Sequence, residues 1–146
     1  MTGTTRVPDV LAALYALAGT VPHVIAIDGE PTIGQPGDFI ATGYTEQGPS
    51  VVNTEQITDY GLASPLETFD VMSEVVTQQG DTNLADCRAR AAAALKVLSA
   101  GLLADPTLGG VAMLAQLTRT DWTQRQTTKG AMVVAQVTVS VQASKQ

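Results

Sequence analysis

The chain is poor in the residues that most often carry chemistry. Its 146 residues include one cysteine and one histidine. Cys87 alone cannot form an intramolecular disulfide, which fits a reducing compartment or a particle assembled in one. It falls on the apolar stripe of a predicted helix and reads as a small buried hydrophobe. Any His–Cys or His–Asp nucleophile system would have to use His23. That residue follows Pro22 at the edge of a predicted strand and reads as structural or exposed. No GxSxG elbow, CxxC pair, HExxH, P-loop or GxGxxG pattern occurs. The motifs therefore call for no catalytic residue, no metal and no cofactor, and the expectation is a protein that is not an enzyme.

Charge is sparse as well. Charged residues make up 15% of the chain and the net charge is −6. A weakly charged, acidic surface argues against gripping nucleic-acid phosphates. It suits a protein that hides much of its surface in an assembly. No apolar run nears the ~20 residues that span a bilayer. The opening MTGTTRVPD lacks the charged-then-apolar layout of a secretion signal. No membrane partner is expected.

What is present fits one domain over residues 1–146, large enough to bury a core without disulfides or metals. Residues 1–6 read as a loose leader. The best-marked stretch is 81–110, DTNLADCRARAAAALKVLSAGLLADPTLGG. Asp81 or Thr82 can cap a helix there. Leu84, Cys87, Ala91, Leu95, Leu98 and Leu102 recur at helical spacing, with Arg88 and Lys96 off the stripe. Asp105 before Pro106 stops the helix, and Gly109 and Gly110 permit a reversal. A first helix precedes it, with Pro8 and Asp9 at its start and a stripe of Val7, Val10, Leu11, Leu14, Leu17, Ala18 and Val21.

Strands are expected at 23–28, at 38–45 and at 66–79, each bounded by Gly or Pro. In the third, Phe69, Val71, Val75 and Thr77 share one face. Beyond Gly110 the period becomes alternating. A hairpin follows with its tip at 124–130. On the return strand, Ala131, Val133, Ala135, Val137, Val139 and Val141 face one way. The stretch 46–65 reads as a long loop, within which Val51, Val52 and Ile57 support either a short strand or a single turn. The predicted class is α+β: a mostly antiparallel sheet of four to five strands with two helices packed on one face. The other face is expected to be small and polar, solvated or buried by a neighbour.

Three carboxylates, Asp28, Glu30 and Asp38, lie close enough in sequence to bind a cation or do acid–base work. In a Gly/Pro-rich turn, solvated acids are the commoner reading. Arg88 and Arg90 read as a solvated helix face. Trp122 is the lone tryptophan, near the hairpin tip. It is either packed on its own strands or placed at an interface, where tryptophan is enriched.

The segment 67–110 carries the strand FDVMSEVVTQQGD, the helix and stop ADCRARAAAALKVLSAGLLADPTLGG, and the strand VAMLAQL directly after it. With an opening helix, DGEP at 28–31 and DFIATGY at 38–44, this layout resembles the tail terminator proteins of long-tailed (siphovirus-type) bacteriophages, the lambda tail-terminator superfamily. The resemblance implies a structural virion protein that forms a hexameric ring on itself. Such a ring caps the tail tube, halts its polymerisation and presents a head-tail joining surface. It implies as partners the major tail tube protein and a head-completion or connector protein, with DNA passing through unbound. It implies a place at the head-proximal end of the tail, after assembly in the bacterial cytoplasm, and it assigns no catalytic residues. Contact residues do not transfer by motif. On position alone the candidates are Trp122, Arg125 and Lys129 in the hairpin and Val51, Val52 and Ile57 in the loop. Three other readings remain: another head-tail connector or stopper protein, a small enzyme using Asp28, Glu30 and Asp38, and a ligand-binding domain with an apolar pocket.

Overall fold

A computed structural model describes residues 5–57 and 66–145, with the backbone alone over 54–57. The elements run α1 (Val7–Ala18), β1 (Ile25–Asp28), β2 (Phe39–Thr42), β3 (Val51–Ile57), β4 (Leu66–Gln79), α2 (Leu84–Ala104), β5 (Leu114–Thr127) and β6 (Gly130–Ser144). The strands form one sheet in the order β1-β2-β4-β6-β5, with β3 also paired to β4. Only β1 and β2 run parallel. The other pairings are antiparallel. The α+β class stands, with six strands instead of four or five. The additional one is β3, which turns part of the expected 46–65 loop into a strand bonded to the first half of β4. Residues 58–65 of that loop, and residues 1–4 of the expected leader, lie outside the described residues.

The core follows from two alternating strands laid side by side. β4 and β6 pair from Leu66↔Ser144 to Gln79↔Ala131. Phe69, Val71 and Val75 on one, and Val133, Ala135, Val137, Val139 and Val141 on the other, are buried on the same face. Strands with period two deliver one apolar face, and it needs a cover. The cover is α2, whose buried stripe is Cys87, Ala91, Ala94, Leu98 and Leu102. Beside it lies α1, through Val10, Leu14 and Ala18. The helices approach closely at Gly101, where a β-carbon would collide with Leu17 Cδ1.

The start of α2 differs by one or two residues from the sequence reading. Asn83, not Asp81 or Thr82, is the cap, its Oδ1 accepting the Asp86 N–H at 3.1 Å. Asp81 is already engaged, accepting from Asn83 N–H at 2.9 Å and from the Gln79 amide. At the other end Asp105 organises the stop. Its carboxylate accepts from Thr107 Oγ1 at 2.6 Å and from Gly109 N–H at 2.7 Å. Those donors, the Thr107 hydroxyl first, hold it below the usual carboxylate range. The reversal uses positive φ at Leu108, Gly109 and Gly110.

Two further departures concern the sheet. The face away from the helices is not uniformly polar. It carries a small apolar cluster of Phe39, Ala41 and Val76, flanked by Ile27, Tyr44, Met132 and Val134. The segment after β2 is tied to this face, where Glu46 N–H donates to Glu74 at 2.9 Å. The hairpin tip is also shorter than 124–130. The strands pair as far as Thr127↔Gly130, leaving Thr128 and Lys129 as the turn. Gly130, at φ 119°, is pressed against the backbone of Gln79, Gly80 and Asp81, where no β-carbon fits.

Candidate assembly surface

Placement decides the fate of the three acids. Parallel pairing sets Ile25 beside Phe39 and Asp28 beside Thr42. Asp38, just before β2, therefore sits at the opposite end of the strand pair from Asp28 and Glu30. Asp38 is committed elsewhere: its carboxylate meets Arg90 Nε at 2.9 Å and accepts the Gln78 N–H at 3.1 Å. Asp28 and Glu30 are exposed. The fold does not gather the trio, and no group of metal-ligating side chains occurs among the described residues.

Arg90 is not a solvated helix residue. Besides Asp38 it donates to the Gln79 side chain at 3.0 Å, to the Gln78 carbonyl at 2.8 Å and to Asp86. It clamps α2 to the end of β4 because the helix turn after Asn83 brings residue 90 over that strand end. Arg88 likewise reaches out of the helix, to Gln124 on β5 at 2.6 Å. Cys87 is fully buried, and burial pushes its thiol above the ordinary value. That is the wrong direction for a nucleophile. His23 is exposed in the α1–β1 turn at φ 63°. It borders an open pocket of about 280 Å³ with Val24, Asp38, Arg90 and Val97.

The hairpin residues share one strand edge. Among the described residues, β5 is the last strand of the sheet and pairs only with β6. A register shift between Leu117 and Arg119 changes its phase. Before the shift, Ala115 and Leu117 point into the core. Beyond it, the strand is exposed almost without interruption to Thr127. Trp122 is 43% exposed opposite Ala135, so it lies mid-strand and not at the tip. Arg125 is 3.6 Å from Glu46, and Lys129 occupies the turn. Of the second group, Val51 and Val52 are half-buried on β3. Ile57 pairs with Leu66, and its side chain lies outside the described part. The two groups are on different edges of the sheet and do not form one patch.

Sequence reasoning missed a neighbouring feature. Leu103, Met113 and Leu114 are exposed, at 82%, 51% and 38%. They flank the end of α2 and the start of β5, and Leu103 and Leu114 line a groove of about 360 Å³ with Leu102, Pro106 and Leu117. The signal was Leu102 and Leu103 side by side: successive helix positions diverge by about 100°, so both cannot face the core.

No protein-family model matches the chain, and no curated protein does. Among solved structures, a chain of one titled "Virion of native gene transfer agent (GTA) particle" is similar at 14% identity and a TM-score of 0.47. The match covers 91% of this chain and 85% of that one.

Proposed function

We propose that this protein is a structural component of a phage-type virion, acting as a tail terminator: a ring that caps the tail tube, stops its growth and offers a joining surface to the head. The observation that carries the reading is the edge strand β5. Among the described residues it has a single neighbour, and it is exposed over most of its length. Such a strand invites pairing, and a monomer would ordinarily shield it. The resemblance over 67–110 supplies the kind of assembly. The strand, helix, stop and hairpin on which it rests appear in that order as β4, α2, the Asp105 turn and β5–β6. In this reading the protein acts by contact and not by catalysis. Its net charge of −6 lets DNA slide through the ring without being held.

The test is to add the purified protein to tail-tube subunits as they polymerise and to image the products. Tubes of limited length with one ring at an end are expected. Tubes of unlimited length with bare ends would sink the reading. Docking to filled heads, with no effect on tubes, would move the protein to the head-completion class.

A further inference from the structure

We infer that copies of this chain join head to tail through the two lateral edges of the sheet, β5 of one copy lying against β1 of the next. Three observations converge.

The first is the distribution of charge. Residues 7–87 hold twelve Asp and Glu and no Lys or Arg. Residues 88–146 hold seven Lys and Arg and two Asp. The sheet order β1-β2-β4-β6-β5 sets a strand from the acidic part and a strand from the basic part at opposite margins. The β1 margin carries Asp28 and Glu30, both exposed. The β5 margin carries Arg119 and Arg125, with Lys129 at its end; Asp121, 2.8 Å from Arg119, and Glu46, 3.6 Å from Arg125, offset part of that charge and leave the margin net positive. Two copies of the same edge would meet like charge with like charge, whereas opposite edges attract.

The second is where apolar surface is left uncovered. The exposed large hydrophobics among the described residues are Tyr15, Ile25 and Ile33, and Leu103, Met113, Leu114 and Trp122. The first three belong to β1, the link after it and the helix α1 that lies over β1 and β2. The other four border β5 and the end of α2. Both margins carry apolar surface of the kind that interfaces bury.

The third is that, among the described residues, the edges are open and level. Ile25, Phe39, Val76, Val134 and Thr123 form one row across the sheet, and Ile27, Ala41, Glu74, Gln136 and Asp121 another. β1 therefore stands level with 121–123 on the far edge. In β1, Ile25 N–H bonds to Asp38 and Gly29 N–H to Thr42. The alternate residues, Ala26 and Asp28, turn their backbone groups outward. A contact between two unlike edges is heterologous, and heterologous contacts close into rings when the rotation allows.

The closure into a ring rests on the terminator reading; the edge contact is tested on the isolated chain. The experiment is a charge swap followed by sedimentation up to millimolar protein. Asp28→Lys with Glu30→Lys, and separately Arg119→Glu with Arg125→Glu, should each weaken self-association roughly tenfold or more. All four swaps in one chain should restore it, since the edges again oppose. Circular dichroism checks that each variant is folded, and Ile25→Ser with Trp122→Ser weakens the contact without touching charge. Absence of rescue in a folded quadruple variant overturns the inference. So does a native chain that stays monomeric throughout, or single-edge variants that associate as the native chain does. Rescue without tube capping would remove the terminator role and leave the edge contact. Capping that survives every swap would do the reverse.

Discussion

β5 and β6 belong to one hairpin, pair along their length and differ by one residue in length, yet they live in different environments. β6 is flanked by β4 and β5 and buries alternate residues throughout. β5 has β6 on one side only, and past Leu117 it buries nothing fully. The contrast shows what makes a strand and what makes a core. Cross-strand hydrogen bonds suffice to extend a polar segment such as TRTDWTQRQT beside a well-anchored partner. Burial requires something above and beside it. Over β5, α2 supplies cover at Ala115 and Leu117 and, farther along, a single arm from Arg88.

The largest loss is expected at the turn that joins the two strands. Gly130→Ala forces a β-carbon into the backbone of residues 79–81 at a φ that disfavours side chains. The expected loss is about 3 kcal/mol or more, read from the midpoint of urea unfolding. Next comes a matched pair across the hairpin. Val133 and Gln124 are register partners, one fully buried and one exposed. Val133→Ala should cost about 2 kcal/mol, through lost burial and the cavity left behind. Gln124→Ala should cost under about 0.5 kcal/mol. Equal losses at the two sites would mean that the edge is part of the cooperative core after all.

The two helix arginines sharpen the same point more gently. Arg90→Ala removes several charge-assisted bonds on the β4 side and should cost about 2 kcal/mol. Arg88→Ala, which frees only the exposed edge, should cost under about 0.5 kcal/mol. The smallest effect is pH-dependent. Burial raises the Glu74 carboxyl above its ordinary value, against the opposing bond from the Glu46 N–H. The native state then holds that proton more tightly than the unfolded chain. Its contribution is most favourable below the unfolded value and declines as pH rises through the raised one. Glu74→Gln keeps an acceptor for Glu46 and removes the charge. It should be more stable than the native protein at pH 7 and no more stable near pH 3, as unfolding curves at the two values would show.

The same contrast explains what could be read in the sequence. β6, β4 and both helices announce themselves because each faces the core at its natural period, as in Val133, Val137 and Val141 or Cys87, Ala91 and Leu98. β3 was ambiguous because VVNTEQI has no sustained alternation and owes its strand state to β4. The far half of β5 was shortened to a tip for the same reason: Gln124, Arg125 and Gln126 look like turn residues until β6 is beside them. The role of Arg90 stays hidden in the sequence because its partners Asp38, Gln78 and Gln79 come from β4 and the approach to β2, whose positions no local pattern reveals. Trp122 stands out in the sequence as the lone tryptophan. Leu103, Met113 and Leu114, at the other end of β5, look ordinary as single apolar residues until the fold brings them together.

One anchoring contact has a consequence for engineering the chain. The buried Glu67 side chain accepts from Thr5 Oγ1 at 2.9 Å and from Arg6 N–H at 2.7 Å, and Arg6 Nε donates to the Ser144 carbonyl at 3.3 Å. Residues 6 and 144 are thus fastened side by side at one end of the sheet, while Thr128 and Lys129 turn at the other. A short linker can join residue 144 to residue 6, and the backbone can be reopened between Thr128 and Lys129 with the ladder intact. Such a circular permutant would carry its free ends, and any label attached to them, at the far tip of the hairpin.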